Sequence, residues 1–126
     1  MPTSERPLAG KHGLVVDDEF LIALDLEALL ANAGAQVVCE GSPDKARAAL
    51  DDGTFDFAIV DLHIGGGIDS GVSVATLLHE RSIPFVFLSG VFSNDPQVTR
   101  FNAPLVEKPY RPEALVATIR QLFHKP

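Results

Sequence analysis

The sequence predicts an α/β domain of the doubly wound class, with a five-stranded parallel sheet and helices on both faces. Five short apolar runs recur along the chain, and they are nearly continuous rather than alternating, which is typical of strands buried on both faces. Helical patterns separate them, so the order is (βα)₅. The 126 residues, 46% of them hydrophobic, suit one domain with one core.

Each predicted strand is a short apolar segment that ends in a polar residue or a glycine. The five segments are GLVVD (13–17), QVVCE (36–40), FDFAIVD (55–61), PFVFLSG (84–90) and PLVEK (104–108). Their length and spacing fit strands joined by helical crossovers.

The predicted helices occupy the segments between the strands. They are 20–33, a segment that begins at Ser42, 72–80, a short segment that begins near Asp95, and 112–123. Gly34 is a good left-handed cap for the first helix. Ser42 followed by Pro43 is typical of a helix start, with serine at the N-cap and proline at the first helical position.

Polar side chains stand at the carboxyl ends of four predicted strands. Asp17 and Asp18 end the first, Asp61 the third, Ser89 the fourth and Lys108 the fifth. Ligands of open α/β sheets bind outside these ends, and the flavodoxin-like strand order 2-1-3-4-5 makes the first and third strands neighbours. We therefore expect the three aspartates to converge, with the serine and the lysine closing the other side.

Three carboxylates at close range cannot all remain ionised without a counter-charge. Mg²⁺ prefers oxygen ligands and is usually held by one or two carboxylates together with phosphate oxygens. A lysine and a hydroxyl beside such a metal suit a phosphoryl group, and one carboxylate can act as the nucleophile. The cluster therefore predicts a magnesium-dependent phosphoryl site.

The charge of the chain argues against two kinds of binding partner, and its hydropathy argues against a signal peptide or membrane helix. The formal net charge of −7 argues against a nucleic-acid-binding surface and against docking on anionic lipid. The sequence contains no apolar stretch of signal-peptide or membrane-helix length, so we expect a cytoplasmic protein. We assign residues 1–10 to a flexible N-terminus and 11–124 to the domain.

Four motifs in this order resemble the response-regulator receiver domains of bacterial two-component signalling: LVVDDE, AIVDLHI, FLSG and EKPY. The resemblance covers about residues 11–124. It implies that Asp61 is the phosphoacceptor, that Ser89 is the switch hydroxyl, and that Lys108 pairs with the phosphoryl group. It also implies a cis peptide bond between Lys108 and Pro109.

The same resemblance implies a Mg²⁺ site. Asp18 would bind the metal directly, Asp17 would act mainly through water, and Asp61 and the backbone carbonyl of His63 would complete the protein ligands. The His63 ring is either an ordinary surface group or a residue that tunes the lifetime of the phosphoryl group.

The implied function is a phosphoacceptor switch with self-catalysed chemistry rather than an enzyme acting on a small molecule. A histidine kinase or histidine phosphotransfer protein would supply the phosphoryl group, and a downstream protein would read the signal from a monomer or weak dimer. Leu105 replaces the aromatic residue that most receivers have in strand five. We therefore expect readout through residues 90–103, with Tyr110 beside them.

FVFLSG and the tyrosine after Lys-Pro also resemble the alphaproteobacterial receiver subgroup named for its Phe-Ala-Thr-Gly motif. Two other functions compete with the switch. A haloacid-dehalogenase-type phosphatase also uses an aspartate nucleophile, but that family places an acid where this chain has His63. A receiver-like binding module that is never phosphorylated is the second alternative.

Overall fold

The computed structural model of the protein describes residues 6–124. Strands and helices alternate throughout, as the sequence predicts. They are β1 (His12–Val16), α1 (Phe20–Asn32), β2 (Gln36–Glu40), α2 (Pro43–Asp52), β3 (Phe57–Asp61), α3 (Asp69–Glu80), β4 (Phe85–Ser89), α4 (Pro96–Thr99), β5 (Leu105–Glu107) and α5 (Pro112–Gln121).

The five strands form one parallel sheet in the order β2-β1-β3-β4-β5. Val16 of β1 lies opposite Val60 of β3, and Asp61 lies opposite Leu88 of β4. The predicted fold class and the predicted strand order are therefore confirmed. The register also places the carboxyl ends of the three central strands at one edge.

The sheet separates two apolar clusters, which explains the continuous apolar runs. Val16 and Val60 face a cluster closed by α2 and α3, whereas Val15 and Ile59 face one closed by α1 and α5. Successive residues of a strand point to opposite faces, so a strand covered on both faces needs apolar residues at every position. Each large side chain buried in this way contributes about 1.5–3 kcal/mol.

Three helices differ from the sequence-based boundaries. Helix α1 ends at Asn32, one residue early, and α5 ends at Gln121, two residues early. Helix α3 begins at Asp69, not at residue 72, and so includes Gly71. Helix α4 has 4 residues, with the Asp95 side chain accepting a hydrogen bond from the N–H of Gln97. The loop predicted before residue 72 is therefore shorter than expected, and it retains Gly65, Gly66 and Gly67.

The N-terminal segment that we expected to be flexible contains a buried residue. Leu8 has 0% exposure, and its N–H donates a hydrogen bond to Ala33 at the end of α1. An apolar side chain is needed there to cover the end of this helix. Residues 1–5 and 125–126 lie outside the described part of the chain. Within that part, every helix is too short or too polar to cross a bilayer.

Gly71 allows α3 to approach the chain that follows the site. A Cβ atom at this position would lie 2.2 Å from the carbonyl oxygen of Leu62, which is backbone and cannot move aside cheaply. A Cβ atom added at Gly67 would meet no atom within 4 Å.

We expect Gly71→Ala to lower the free energy of unfolding by about 1–3 kcal/mol, because the methyl group forces α3 away from Leu62. Denaturant unfolding measures the change. Gly67→Ala is the matched control and should stay within about 0.5 kcal/mol of the wild type. Equal losses in the two variants would contradict the close approach.

Candidate functional site

The carboxyl ends of β1, β3 and β5 bring two aspartates and a lysine together. Asp17 directly follows β1, Asp61 is the last residue of β3, and Lys108 directly follows β5. Lys108 Nζ lies 3.7 Å from Asp61 Oδ1 and 3.9 Å from Asp17 Oδ2. The convergence that the sequence predicts for these three residues is therefore present in the structure.

Glu19 adds a carboxylate that our sequence-based site does not include. Its Oε1 lies 3.4 Å from Lys108 Nζ. Asp17, Glu19 and Asp61 each offer a carboxylate oxygen within 4.8 Å of the others. We call these three residues and Lys108 the charge cluster. The sequence feature that could have identified Glu19 is its position directly after Asp17 and Asp18.

Asp18 lies in the same cleft but points elsewhere. Its Oδ2 accepts a hydrogen bond of 3.1 Å from the N–H of Gly65, in the glycine-rich loop after β3. The side chain still lines the cleft that contains Asp61 and Lys108. Direct metal ligation by Asp18, which the resemblance implies, stays a prediction.

The two aspartates of the charge cluster are buried and are held by the backbone. Their side chains are 1% and 6% exposed for Asp17 and Asp61. Asp17 Oδ1 accepts a hydrogen bond from the N–H of Glu19, and Asp61 Oδ1 accepts one from the N–H of His63. These short local bonds fix both carboxylates at the strand ends.

One buried oxygen has no such bond. Among the described residues, only Asp17 Oδ2 is a buried side-chain oxygen without a hydrogen-bond partner. Burial raises the pKa of Asp17, the N–H of Glu19 lowers it, and repulsion from Asp61 raises it further. A hard cation with oxygen ligands would satisfy this oxygen, so the residues present fit Mg²⁺.

Ser89 and His63 lie together on the β4 side of the site. Ser89 is fully buried, and its hydroxyl donates to the carbonyl of Val91 at 2.6 Å and accepts from the N–H of Val91 at 3.2 Å. The His63 ring nitrogen Nδ1 lies 3.4 Å from the same hydroxyl oxygen. The Ser89 hydroxyl is therefore engaged with the loop that follows β4.

His63 borders the cleft and is half-buried. It lines the same opening as Asp61, Gly90 and Lys108. Its backbone carbonyl, which we expected to face a metal, accepts a hydrogen bond of 2.8 Å from the N–H of Gly66. Metal ligation by this carbonyl stays a prediction.

The segment after β5 has the expected cis bond between Lys108 and Pro109. Tyr110, however, does not lie where we expected it, beside residues 90–103. Its hydroxyl donates a 2.8 Å hydrogen bond to Asp25 of α1. Burial and this bond raise the pKa of Tyr110 above its usual range. Tyr110 packs against the apolar cluster that α1 and α5 close, and it shares a cleft with Ile22 and Asp25 of α1.

We expect Asp17→Asn to stabilise the cation-free protein at neutral pH by on the order of 1 kcal/mol, since it removes a buried charge and retains the acceptor for the Glu19 N–H. The folded-state pKa of Asp17 is raised, so the wild-type folded state binds more protons than the unfolded state just above the ordinary carboxyl range. The stabilisation that the bound proton on Asp17 gives the folded wild type is therefore lost as pH rises through the raised pKa of Asp17.

The stabilisation by Asp17→Asn should therefore grow with pH above about 4 and then level off, as measured by thermal melts in chelator. Asp18→Asn is the matched control, because it removes the same charge from an exposed neighbour. A melting-temperature gain that is the same at pH 4 and pH 7 would contradict the burial argument.

Known proteins resemble the chain in both sequence and structure. No protein-family model matches the chain. The regulatory protein VanR of Enterococcus faecium is 27% identical over 111 residues, which are 85% of this chain and 47% of VanR. The structure of a response regulator receiver protein from Sinorhizobium medicae is 27% identical, with a TM-score of 0.80, covering 90% of this chain and 94% of that one.

The structure of the response regulator PhyR from Brucella abortus is 29% identical, with a TM-score of 0.79, covering 97% of this chain and 51% of PhyR. The chain thus spans about half the length of VanR and of PhyR. Membership of the Phe-Ala-Thr-Gly subgroup stays a prediction. The chain therefore has the fold of response-regulator receiver domains and is similar to them in sequence.

Proposed function

We propose that the protein is a phosphoacceptor of a two-component phosphorelay and takes its phosphoryl group on Asp61. The observation that carries the proposal is the charge cluster. Asp61 is a buried carboxylate at a strand end, 3.7 Å from Lys108 Nζ. Beside it, Asp17 Oδ2 accepts no hydrogen bond from the described part of the chain. Such a site accepts a phosphoryl group and a cation together and opens to solvent through the cleft.

In the proposed reaction, a carboxylate oxygen of Asp61 attacks the phosphorus of a phosphohistidine in line with the P–N bond. The P–O bond forms as the P–N bond breaks, and the imidazole recovers its electron pair. Lys108 neutralises phosphoryl oxygens throughout. Mg²⁺, held by Asp17 and Asp61, with Asp18 and the His63 carbonyl as further expected ligands, would neutralise the remaining phosphoryl charge when bound.

Reset follows by hydrolysis. Water attacks the phosphorus, the P–O bond to Asp61 breaks, and the products are inorganic phosphate and the free carboxylate. The His63 ring borders the route along which water enters the cleft. We therefore retain His63 as the residue that tunes the lifetime of the acyl phosphate.

The proposed switch begins at Ser89. Its hydroxyl would leave the carbonyl of Val91 and donate to the phosphoryl group. Both hydrogen bonds between Ser89 and Val91 would then be lost, and the segment 90–103 would be released. Leu105 is half-buried against the core and has no ring to follow the hydroxyl, so this segment carries the change.

Access for a phosphoryl donor is consistent with the surface beside the site. Phe20 and Leu21 at the start of α1 are 74% and 78% exposed, and Phe92 in the loop after β4 is 72% exposed. Phe20 borders a cleft shared with Asp17 and Asp18. Exposed apolar residues grouped near a reactive group mark a contact with another protein, here a histidine kinase or phosphotransfer protein.

The two competing functions predict different chemistry. A phosphatase of the haloacid-dehalogenase type would turn over many phosphate monoesters per site. A binding module that is never phosphorylated would not react, and the engagement of Asp18 with Gly65 and of Ser89 with Val91 would then be its working state.

We expect acetyl phosphate with Mg²⁺ to add one phosphoryl mass to the protein, labile to base, because Asp61 is a buried strand-end carboxylate beside Lys108. Intact-mass spectrometry measures the adduct. Asp61→Asn should lose it, whereas Asp56→Asn, a surface aspartate before β3, should retain it.

Full adduct formation by the Asp61→Asn variant would show that the acceptor is another residue. An unmodified wild type, with a donor known to be active on another receiver, would favour the binding module. Repeated turnover of a generic phosphate monoester would favour the phosphatase.

We expect beryllofluoride with Mg²⁺, a mimic of the phosphoaspartate, to change amide hydrogen exchange most in residues 90–103. The 4-residue α4 has little stability of its own, so loss of the Ser89 bonds should loosen or reposition it. Ser89→Ala should show part of this change without the ligand. Exchange that changes only around the charge cluster would show that this segment is not the output.

A further inference from the structure

Glu19 occupies a position where glutamate is an unusual choice. It is the N-cap of α1, and its carbonyl accepts the first helical hydrogen bond from Ala23. Serine, threonine, aspartate and asparagine are preferred there because their short side chains bond to the helix N–H groups. The longer Glu19 side chain instead extends to Lys108, with its Oε1 3.4 Å from Nζ.

Glu19 is also the carboxylate of the charge cluster that can move. Its side chain is 60% exposed, whereas those of Asp17 and Asp61 are 1% and 6% exposed and accept hydrogen bonds from the backbone. It is nevertheless the closest of the three to Lys108 Nζ. An exposed ion pair contributes little to stability, so another charge can displace it readily.

The unpartnered oxygen of Asp17 provides an independent indication of a ligand. Asp17 Oδ2 is buried without a hydrogen-bond partner in the described chain and faces the space next to Lys108 Nζ. A divalent cation that meets this oxygen would lie near the ammonium and be repelled by it. A carboxylate that turned from the ammonium to the cation would reduce this repulsion, and Glu19 lies within reach of both.

We infer that Glu19 is an exchangeable counter-ion that links cation binding to the availability of Lys108. Without a divalent cation it pairs with Lys108 and masks the ammonium. With the cation bound, the Glu19 carboxylate faces the cation, directly or through water, and Lys108 is free for an anion beside Asp61. The inference rests on the proposed function, because the anion it serves is the phosphoryl group.

Cation binding provides the first test. Mn²⁺ titrations followed by electron paramagnetic resonance measure the free ion directly, without any reaction. We expect Glu19→Gln to weaken Mn²⁺ binding about tenfold, the order expected when one carboxylate beside a divalent ion is lost. Glu80→Gln removes the same charge from an exposed position at the end of α3 and should change the affinity less than about twofold.

Glu19→Ser separates this role from helix stability. Serine is a good N-cap, so the variant should melt at or above the temperature of the cation-free wild type and yet bind Mn²⁺ as weakly as Glu19→Gln. Equal Mn²⁺ affinity in the wild type, Glu19→Gln and Glu80→Gln would overturn the inference.

The masking of Lys108 is tested by the coupling between cation and anion. In amide NMR titrations, saturating Mg²⁺ should raise the affinity for beryllofluoride several-fold more in the wild type than in Glu19→Gln, because the variant leaves Lys108 unmasked from the start. An identical Mg²⁺ enhancement in both proteins would contradict the exchange.

Different results would contradict the proposed function and the inference about Glu19. A wild type that acetyl phosphate does not modify, but whose Mn²⁺ affinity depends on Glu19, would remove the phosphoacceptor role and leave the counter-ion role in place. Normal modification of Asp61 together with Mn²⁺ binding that is independent of Glu19 would do the reverse.

Discussion

The ammonium of Lys108 and the carboxylates around it are the interaction on which the functional edge of this domain depends. Two aspartates are buried where isolated charges are costly, and one lysine lies within 4 Å of both. One lysine does not balance the carboxylates of the cluster, and no residue between 6 and 124 donates a hydrogen bond to Asp17 Oδ2. An incompletely neutralised cluster of this kind favours whatever brings further positive charge into the cleft.

The parallel sheet is what makes such crowding possible. Neighbouring parallel strands end at the same edge, so the residues after β1 and at the end of β3 must approach one another. The apolar clusters on both faces hold the strands in register and prevent the carboxylates from separating. Stability is thus supplied by the core, while the edge retains unfavourable electrostatics that a ligand can relieve.

The segments around this edge are joined to the site residues by few hydrogen bonds. The glycine-rich loop after β3 is held to Asp18 by one exposed hydrogen bond from Gly65. The segment after β4 is tied to Ser89 by two bonds to Val91, and α4 beyond it has 4 residues. Rigid acceptors beside weakly held segments allow a local change of charge to alter the surface that a partner contacts.

The sequence alone determined the fold class, the strand order and the convergence of Asp17, Asp61 and Lys108. Continuous apolar runs identify strands buried on both faces, and the ends of parallel strands meet at one edge. Only the tertiary structure decided three hydrogen bonds: Lys108 to Glu19, the Gly65 N–H to Asp18, and Tyr110 to Asp25. Each of these is a contact between residues distant in the chain, made by a side chain with several rotamers, and periodicity carries no information about which rotamer packing selects.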